Sequence, residues 1–303
     1  MRIETKAITK LHEPVLLKEV LDALGLTGLA HSNNQVRKFI DATLGTGGHT
    51  AEIIKRAGVV LGIETDNSLL RVARERVEGG AFKLIHGNFK DIYEIAKHEG
   101  FLQVDGILFD LGVSNLHFED SRRGFSFKYE NAPLDMRLNR ELQNVSASDL
   151  LNNLRHDQLI TLFSVILSKY KSKKLADSVV SKRSKSKLMT VGDFLSIFGR
   201  YGFKHNLHPA TLPLLALRIA VNSELDNLKE ALPSSLKLLR KDGRLVVISF
   251  HSAEDRIVKR FFRKIAKEGA GEIITKKPIV AQPKEIFLNP KARSAKLRIL
   301  KKL

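Results

Sequence analysis

Asp41-Ala-Thr-Leu-Gly45-Thr-Gly47-Gly48-His49-Thr50 joins a carboxylate that closes an apolar run to a glycine-rich turn, with a helical pattern (Ala51, Ile53, Ile54) beginning at once. In such a turn backbone N–H groups can approach a ligand closely, with the helix dipole behind them. A second apolar run, Val59 to Ile63, ends in Glu64. That is about twenty residues past the glycines, where nucleotide-binding βαβ units place a carboxylate that accepts from ribose hydroxyls. A dinucleotide fingerprint needs a third small residue where Thr50 stands, which disfavours a nicotinamide-dependent oxidoreductase. Gly-Gly-His with a strand-end acid fits another adenosine-bearing ligand, S-adenosylmethionine above all. An ordinary tight βα turn is the competing reading.

The elements that must position these residues alternate. A helix is expected from Glu13-Pro14 through Leu16, Leu17, Val20, Leu21 and Leu24, with Gly25 and Gly28 ending it, then a polar connector over 31–35. Strands are expected before Asp41, over 59–63, over 82–86 and over 104–109, with a helix capped by Asp66 or Asn67 after the second. Strand and helix in alternation give a parallel, doubly wound sheet, and ligands of such sheets lie beyond the carboxyl ends of the strands. Asp41, Glu64, Phe89 and Asp110 all fall there.

At 303 residues the chain has room for one domain with a large insertion, or two domains. No apolar run approaches the ~20 residues that cross a bilayer, and the first ten residues lack an apolar signal core, so a cytoplasmic protein without a membrane partner is expected. The chain has no cysteine, which excludes disulfides, thiolate metal sites and a cysteine nucleophile. Methylation at C5 of cytosine, which needs a thiolate, goes with them. The net charge of +18, from 51 Lys and Arg against 33 Asp and Glu, favours a polyanion as partner, nucleic acid first.

The alternation stops near His117. From there to about His205 the chain reads as loop and helices, with Ser146-Ala-Ser-Asp149 and Thr190-Val-Gly-Asp193 as helix starts. Between them lie Lys169-Tyr-Lys-Ser-Lys-Lys174 and Lys182-Arg-Ser-Lys-Ser-Lys187, readable either as a solvated helix face or as an RNA contact. The α/β pattern resumes with a helical section from Ala210 that Pro213 and Pro233 should interrupt and Gly243 should end. A strand over 244–250, a helix opening at His251 and a terminal hairpin from 272–280 and 295–300 follow. The expected boundaries are 1–117 and 207–303 for an α/β domain in two parts, and 118–206 for the helical insertion.

With these residues in view the chain resembles the MraW (RsmH) family of bacterial ribosomal RNA methyltransferases. The likeness runs through His12-Glu-Pro-Val-Leu-Leu-Lys-Glu-Val20, the 45–50 loop, Asp105-Gly-Ile-Leu-Phe-Asp-Leu-Gly-Val-Ser114, Arg123-Gly-Phe-Ser-Phe127 and Pro133-Leu-Asp-Met-Arg137. It continues in His208-Pro-Ala-Thr211, Ile248-Ser-Phe-His-Ser252, Glu254-Asp-Arg-Ile-Val-Lys259 and Asn289-Pro-Lys-Ala-Arg-Ser-Ala-Lys-Leu-Arg298. The resemblance implies a class I, Rossmann-like methyltransferase fold with an inserted all-helical, substrate-recognising domain. It also implies S-adenosylmethionine as cofactor and methylation of the exocyclic N4 of a cytidine in the decoding region of 16S ribosomal RNA. The partner would be that RNA or the small ribosomal subunit, with a second copy of the chain as a further candidate partner. Cofactor contacts carried over would be Gly47, Gly48, His49, Glu64, Phe89, Asp110 and His117. Glu64 stands where many relatives have Asp, His117 where Gln is common, Tyr170-Lys-Ser-Lys-Lys174 where relatives carry Tyr-Gly-Glu-Glu, and Leu212 where Arg is usual.

Methyl transfer from a sulfonium is an in-line displacement, so alignment and electrostatics are what the protein supplies. A cytidine amine has its lone pair delocalised into the ring, and an acceptor for its N–H would localise that pair. Asp110, with Ser114 and Asn115, is the candidate to receive the amine; a purely cofactor-binding Asp110 is the competing reading. The base must leave its stack. Phe125 and Phe127 are candidates to support it, with the helical core as their alternative, and Arg122, Arg123 and Arg137 are candidates to hold phosphates. His12, His49, His208 and His251 are too scattered, without Cys, to suggest a metal. A methyltransferase fold that binds RNA without turnover, or one that acts on another nucleic acid, remains the alternative.

Overall fold

The computed structural model describes residues 14–27, 36–56, 58–199 and 208–303. His12, the Glu13 helix start, Gly28, the 31–35 connector and His205 lie outside them. The chain forms two compact units, one of residues 1–112 with 228–303 and one of residues 113–227.

The first unit is built on seven strands: β1 (Arg37–Asp41), β2 (Gly58–Glu64), β3 (Phe82–His86), β4 (Val104–Asp110), β5 (Leu239–Ser249), β6 (Gly271–Ile273) and β7 (Lys296–Lys302). Their order is β3-β2-β1-β4-β5-β7-β6. Pairing is parallel from β3 to β5, and β7 runs antiparallel to both β5 and β6. The chain steps outward from β1 to β3 and then returns to the other side of β1 as β4, so the strand order reverses between β1 and β4. Ligands of open α/β sheets bind at that switch point. Asp41 and Asp110 close the two strands that flank it.

Side chains alternate across the sheet. Ile40, Leu61, Ile63, Ile107, Phe109, Leu245 and Val247 join one core with Ile92, Leu232, Val258 and Phe262. Phe39, Val60, Leu108, Val246 and Ile248 join the other with Val20, Leu24, Ile53 and Leu297. A parallel sheet covered on both faces needs adjacent apolar residues in its strands, which is why Phe39-Ile40, Val59 to Leu61, Ile107 to Phe109 and Leu245 to Ile248 are legible as strand cores. Truncating one of these buried side chains to Ala would cost about 2–5 kcal/mol.

Several boundaries differ from expectation for identifiable reasons. The first helix spans Leu17–Ala23, because Leu16 before it adopts a left-handed backbone (φ 53°). Neither proline interrupts its helix. Pro213 sits in the first turn of Thr211–Val221, where an N–H would lack an intrahelical partner anyway. Pro233 lies inside Glu224–Leu238, whose buried Leu228, Ala231, Leu232 and Leu238 hold the helix together through it. The break falls instead at Asn222 and Ser223, where Ser223 has φ 50°. Strand β5 begins at Leu239, before Gly243, and the pairing with β4 slips between Val104 and Gly106. Asp242 takes φ 64° at that irregularity.

The second unit is helical, with Ala147–Asn153, His156–Ser164, Lys169–Arg183, Val191–Leu195 and Thr211–Val221 packed around Leu159, Phe163, Leu175, Val179, Phe194, Leu214 and Leu217. Ser146 with Asp149 and Thr190 with Asp193 form the expected capping boxes. The unit extends to Asn227, beyond the 118–206 read from the break in alternation, because Leu214 and Leu217 of the last helix belong to this core.

Candidate active site at the carboxyl ends of the strands

Asp41 is 1% exposed and holds the turn that follows it. Its Oδ2 accepts from the Thr50 hydroxyl at 2.7 Å and its Oδ1 from the Thr43 N–H at 3.3 Å. Burial pushes its pKa up to about 6, and these hydrogen bonds keep it from rising further. Thr43 Oγ1 in turn accepts the Asp110 N–H at 2.6 Å, which ties the ends of β1 and β4 together across the switch point. Thr50 thus occupies the place of the missing small residue because it is needed to anchor Asp41.

Glu64 closes β2. Its Oε2 accepts the Gly45 N–H and its Oε1 the Asp66 N–H, both at 2.8 Å. Burial pushes this carboxyl up to about 7 against those two bonds. Each oxygen keeps a second lone pair for a ligand hydroxyl. Gly47 caps the helix Gly48–Ile54 with φ 76°, and a Cβ there would stand 2.9 Å from Val77 Cγ2. The glycine is therefore required by backbone conformation and by the helix that follows β2. At Gly48 a Cβ would stand 2.7 Å from Pro14 Cγ.

His49 is 5% exposed. Its Nε2 lies 3.0 Å from the Val15 carbonyl oxygen, to which it donates, and its Nδ1 lies 3.6 Å from Asp110 Oδ2. Burial lowers its pKa to about 4, so the ring is neutral and turns the Nδ1 lone pair toward Asp110. Asp110 is pushed up to about 8, first by burial and then by the Asp41 carboxylate, with Lys291 opposing. Its Oδ1 is enclosed and has no hydrogen-bond partner among the described residues. Phe89 packs edge-on against Phe109, ring centres 5.6 Å apart. Asp41, His49, Glu64, Gly47, Gly48 and Asp110 are thus linked through one turn, with Phe89 held at the end of β3 by β4's Phe109.

Sequence reading gave no role to Thr43, Thr50 or Lys291. The two threonines carry no pattern of their own, and Lys291 reaches Asp110 only through the fold. His251 caps its helix: its Nδ1 accepts the Glu254 N–H at 3.3 Å, and Glu254 accepts from Phe250 at 2.8 Å.

The remaining candidates belong to the helical unit. Ser114 caps Asn115–Glu119, its hydroxyl accepting from Leu116 at 3.3 Å, while His117 Nδ1 accepts the Ser114 N–H at 3.2 Å. His117 is buried and stacks on Phe125, centres 5.1 Å apart. Arg123 is also buried and donates to the carbonyls of Arg137 and Leu138 at 2.9 and 3.2 Å. Arg137 clasps Asp135, at 2.7 and 3.1 Å. Arg122 pairs with Asp120 on the surface at 2.9 Å. Phe125 is core at 5% exposure, whereas Phe127 is 40% exposed beside His208.

Residues 9–303 match the MraW methylase family. The chain belongs to that family. It is 41% identical to the ribosomal RNA small subunit methyltransferase H of Methylacidiphilum infernorum, over 96% of this chain and 94% of the relative. The protein of the same name from Dictyoglomus thermophilum is 39% identical over 96% and 97%, and that from Clostridium botulinum is 37% identical over 96% and 99%.

S-adenosylmethionine is the cofactor of this methylase, and the residues present fit it. Asp41, ionised above about pH 6, and Asp110, ionised above about pH 8, close the strands beside the switch point and favour a cationic sulfonium as they ionise, and Glu64 stands at the ribose position of the fold.

Proposed function

We propose that this methylase places a methyl group on the exocyclic N4 of a cytidine in the decoding region of 16S ribosomal RNA. Support for the substrate comes from relatives named for the small-subunit RNA that match it end to end at 37–41% identity. The charge of +18 suits a polyanion, and the absence of cysteine removes the C5 route on cytosine.

The observation that carries the chemistry is the Asp110 carboxyl, a quarter open at the end of β4 beside the buried Asp41 and His49. S-adenosylmethionine supplies an electrophilic methyl group when bound. In its ionised form the Asp110 carboxylate, whose side chain keeps a quarter of its surface open, accepts an N–H of the cytidine amine, directs the nitrogen lone pair toward the methyl carbon and takes that proton as the N–C bond forms. His49, neutral and anchored on Val15, lies 3.6 Å from Asp110 Oδ2. Glu64 and Asp41 keep the turn in shape, and Gly47, Gly48, His49, Glu64, Phe89 and His117 are the cofactor contacts in this reading. Ser114 and Asn115, which open a helix, have a secondary part. The helical insertion, with its Arg122, Arg137 and Phe127, is the RNA-recognising part, and the reaction belongs to the cytoplasm. Among the described residues no helix is long and apolar enough to cross a membrane.

Mass spectrometry of ribosomal RNA nucleosides from a deletion strain, with and without the restored gene, tests this reading. N4-methylated cytidine should vanish and return. An unchanged nucleoside profile would leave an RNA-binding protein without turnover, or an enzyme of another nucleic acid, as the better account.

A further inference from the structure

Within the helical unit, Lys169–Arg183 buries Ser172, Leu175, Ala176 and Val179. That is the i, i+3, i+4, i+7 stripe of a helix lying on a core. The opposite face begins with Tyr170, Lys173 and Lys174, which share one side a turn apart. All three are exposed, Tyr170 by 76%, and Lys169 and Lys171 flank them in the open.

This cluster works against its own helix. Lysines at the first turns face the positive end of the macrodipole, and Lys169 with Lys173 is a like-charge pair at i, i+4. The first turn holds no acid. None of these lysines has an ion pair among the described residues; Asp177, the next acid on the face, pairs with His156 at 2.7 Å. An exposed aromatic ring set in an uncompensated cluster of cations has no stabilising purpose in the unit, and local conflicts of this kind mark sites of use.

We infer that the Tyr170–Lys173–Lys174 face, with Lys169 and Lys171, is a docking surface for single-stranded RNA. The lysines neutralise successive phosphates, and the Tyr170 ring stacks on an unpaired base. The inference rests on RNA being the substrate of the methylase.

The test uses the full chain and an RNA oligonucleotide of the decoding region, with binding measured over a range of salt concentrations and methylation of the same RNA measured alongside. In the K171Q/K173Q/K174Q variant the slope of log affinity against log salt should fall by about 2. Tyr170→Ala should lose about tenfold in affinity for the single strand but little for a duplex of the same composition, and Tyr170→Phe should restore it. Because the lysines oppose the helix dipole, the triple variant should melt no lower than the wild type and bind S-adenosylmethionine unchanged. An unchanged salt slope in a variant whose wild type methylates the RNA overturns the surface and leaves the substrate reading intact. A wild type that neither binds nor methylates this RNA overturns both. Retention of anionic lipid vesicles or an acidic peptide by the lysines, with RNA affinity unmoved, also overturns the inference, as does a marked drop in melting temperature.

Discussion

Glu64 Oε2 accepts the Gly45 N–H at 2.8 Å, so the carboxyl closing β2 is tied to the turn that leaves β1. Its other oxygen takes the Asp66 N–H, and one side chain fixes both loops. Glu64→Gln must present an amide N–H to one of those two donors. The variant should lose about 1–3 kcal/mol of stability in denaturant unfolding and bind S-adenosylmethionine at least about tenfold more weakly by calorimetry. Full stability in the variant would show that the turn stands without this link.

The carboxyls and the histidine act oppositely on stability as pH changes. Asp110 at about 8 and Glu64 at about 7 keep protons in the folded state that the unfolded chain gives up near 3.8 and 4.5. The folded state then binds more protons, so stability falls as pH rises between those limits, by up to about 1.4 kcal/mol per pH unit for each proton. Asp41, at about 6, acts likewise up to that pH. His49, lowered from 6.5 to about 4, makes the folded state bind fewer protons, so its part rises with pH over that window and is constant above it. From pH 6.5 to 8.5 only the falling part remains. The melting temperature of the cofactor-free protein should therefore decline across this range, and Asp110→Asn should flatten the upper half. Affinity for the cationic cofactor should rise with the ionisation of Asp110.

Strands β1 to β4 are legible because a sheet covered on both faces demands adjacent apolar residues, as at Phe39-Ile40, Val59 to Leu61, Leu84-Ile85 and Ile107 to Phe109, each stretch followed by a polar strand end. The capping boxes at Ser146 and Thr190 could be read because their partners lie three residues away. The hold of Thr50 on Asp41 and of Thr43 on Asp110 could not, since those partners are brought together by strand order. Pro213 and Pro233 misled for a related reason. Proline reports a local backbone preference: Pro213 falls in a first turn that tolerates it, and at Pro233 the burial of Leu228 and Leu232 on the same helix outweighs it. Arg123 reads as a phosphate ligand until the fold encloses it.

Gly47 has φ 76° and no room for a side chain. Gly47→Ala should cost about 1–2 kcal/mol for the left-handed backbone and more for the contact with Val77. Because truncating the buried Val77 has a cost of its own, the contact is isolated by a cycle: Gly47→Ala made in a Val77→Ala background should cost only the first part. An equal cost of Gly47→Ala in denaturant unfolding with Val77 and with Ala at position 77 would place the whole cost in the backbone.

Asn222 is the polar hub of the helical unit. Its amide donates to the carbonyls of Met136 and Arg218 at 2.8 and 3.0 Å, and its Oδ1 accepts from Leu138 and Gln143 at 2.9 and 3.2 Å. Asn222→Leu leaves these buried groups unpaired and should cost about 2–5 kcal/mol. Hydrogen exchange should speed up over 134–143 first, with the strands of the sheet unaffected. Equal protection in variant and wild type would mean that the loop finds other partners.

Asp110→Asn separates the two roles open to that residue. The substitution keeps the shape and leaves an oxygen able to accept, but removes the charge that appears as the carboxyl ionises above about pH 8. If Asp110 receives the amine, the variant should bind S-adenosylmethionine within a few-fold of the wild type, while the rate at saturating cofactor and RNA falls about a hundredfold. The pH profile should change as well, because the wild-type rate should climb as Asp110 becomes a better acceptor and the variant's should not. If affinity alone is lost and the saturated rate holds, Asp110 serves the cofactor and the acceptor for the amine must be sought elsewhere.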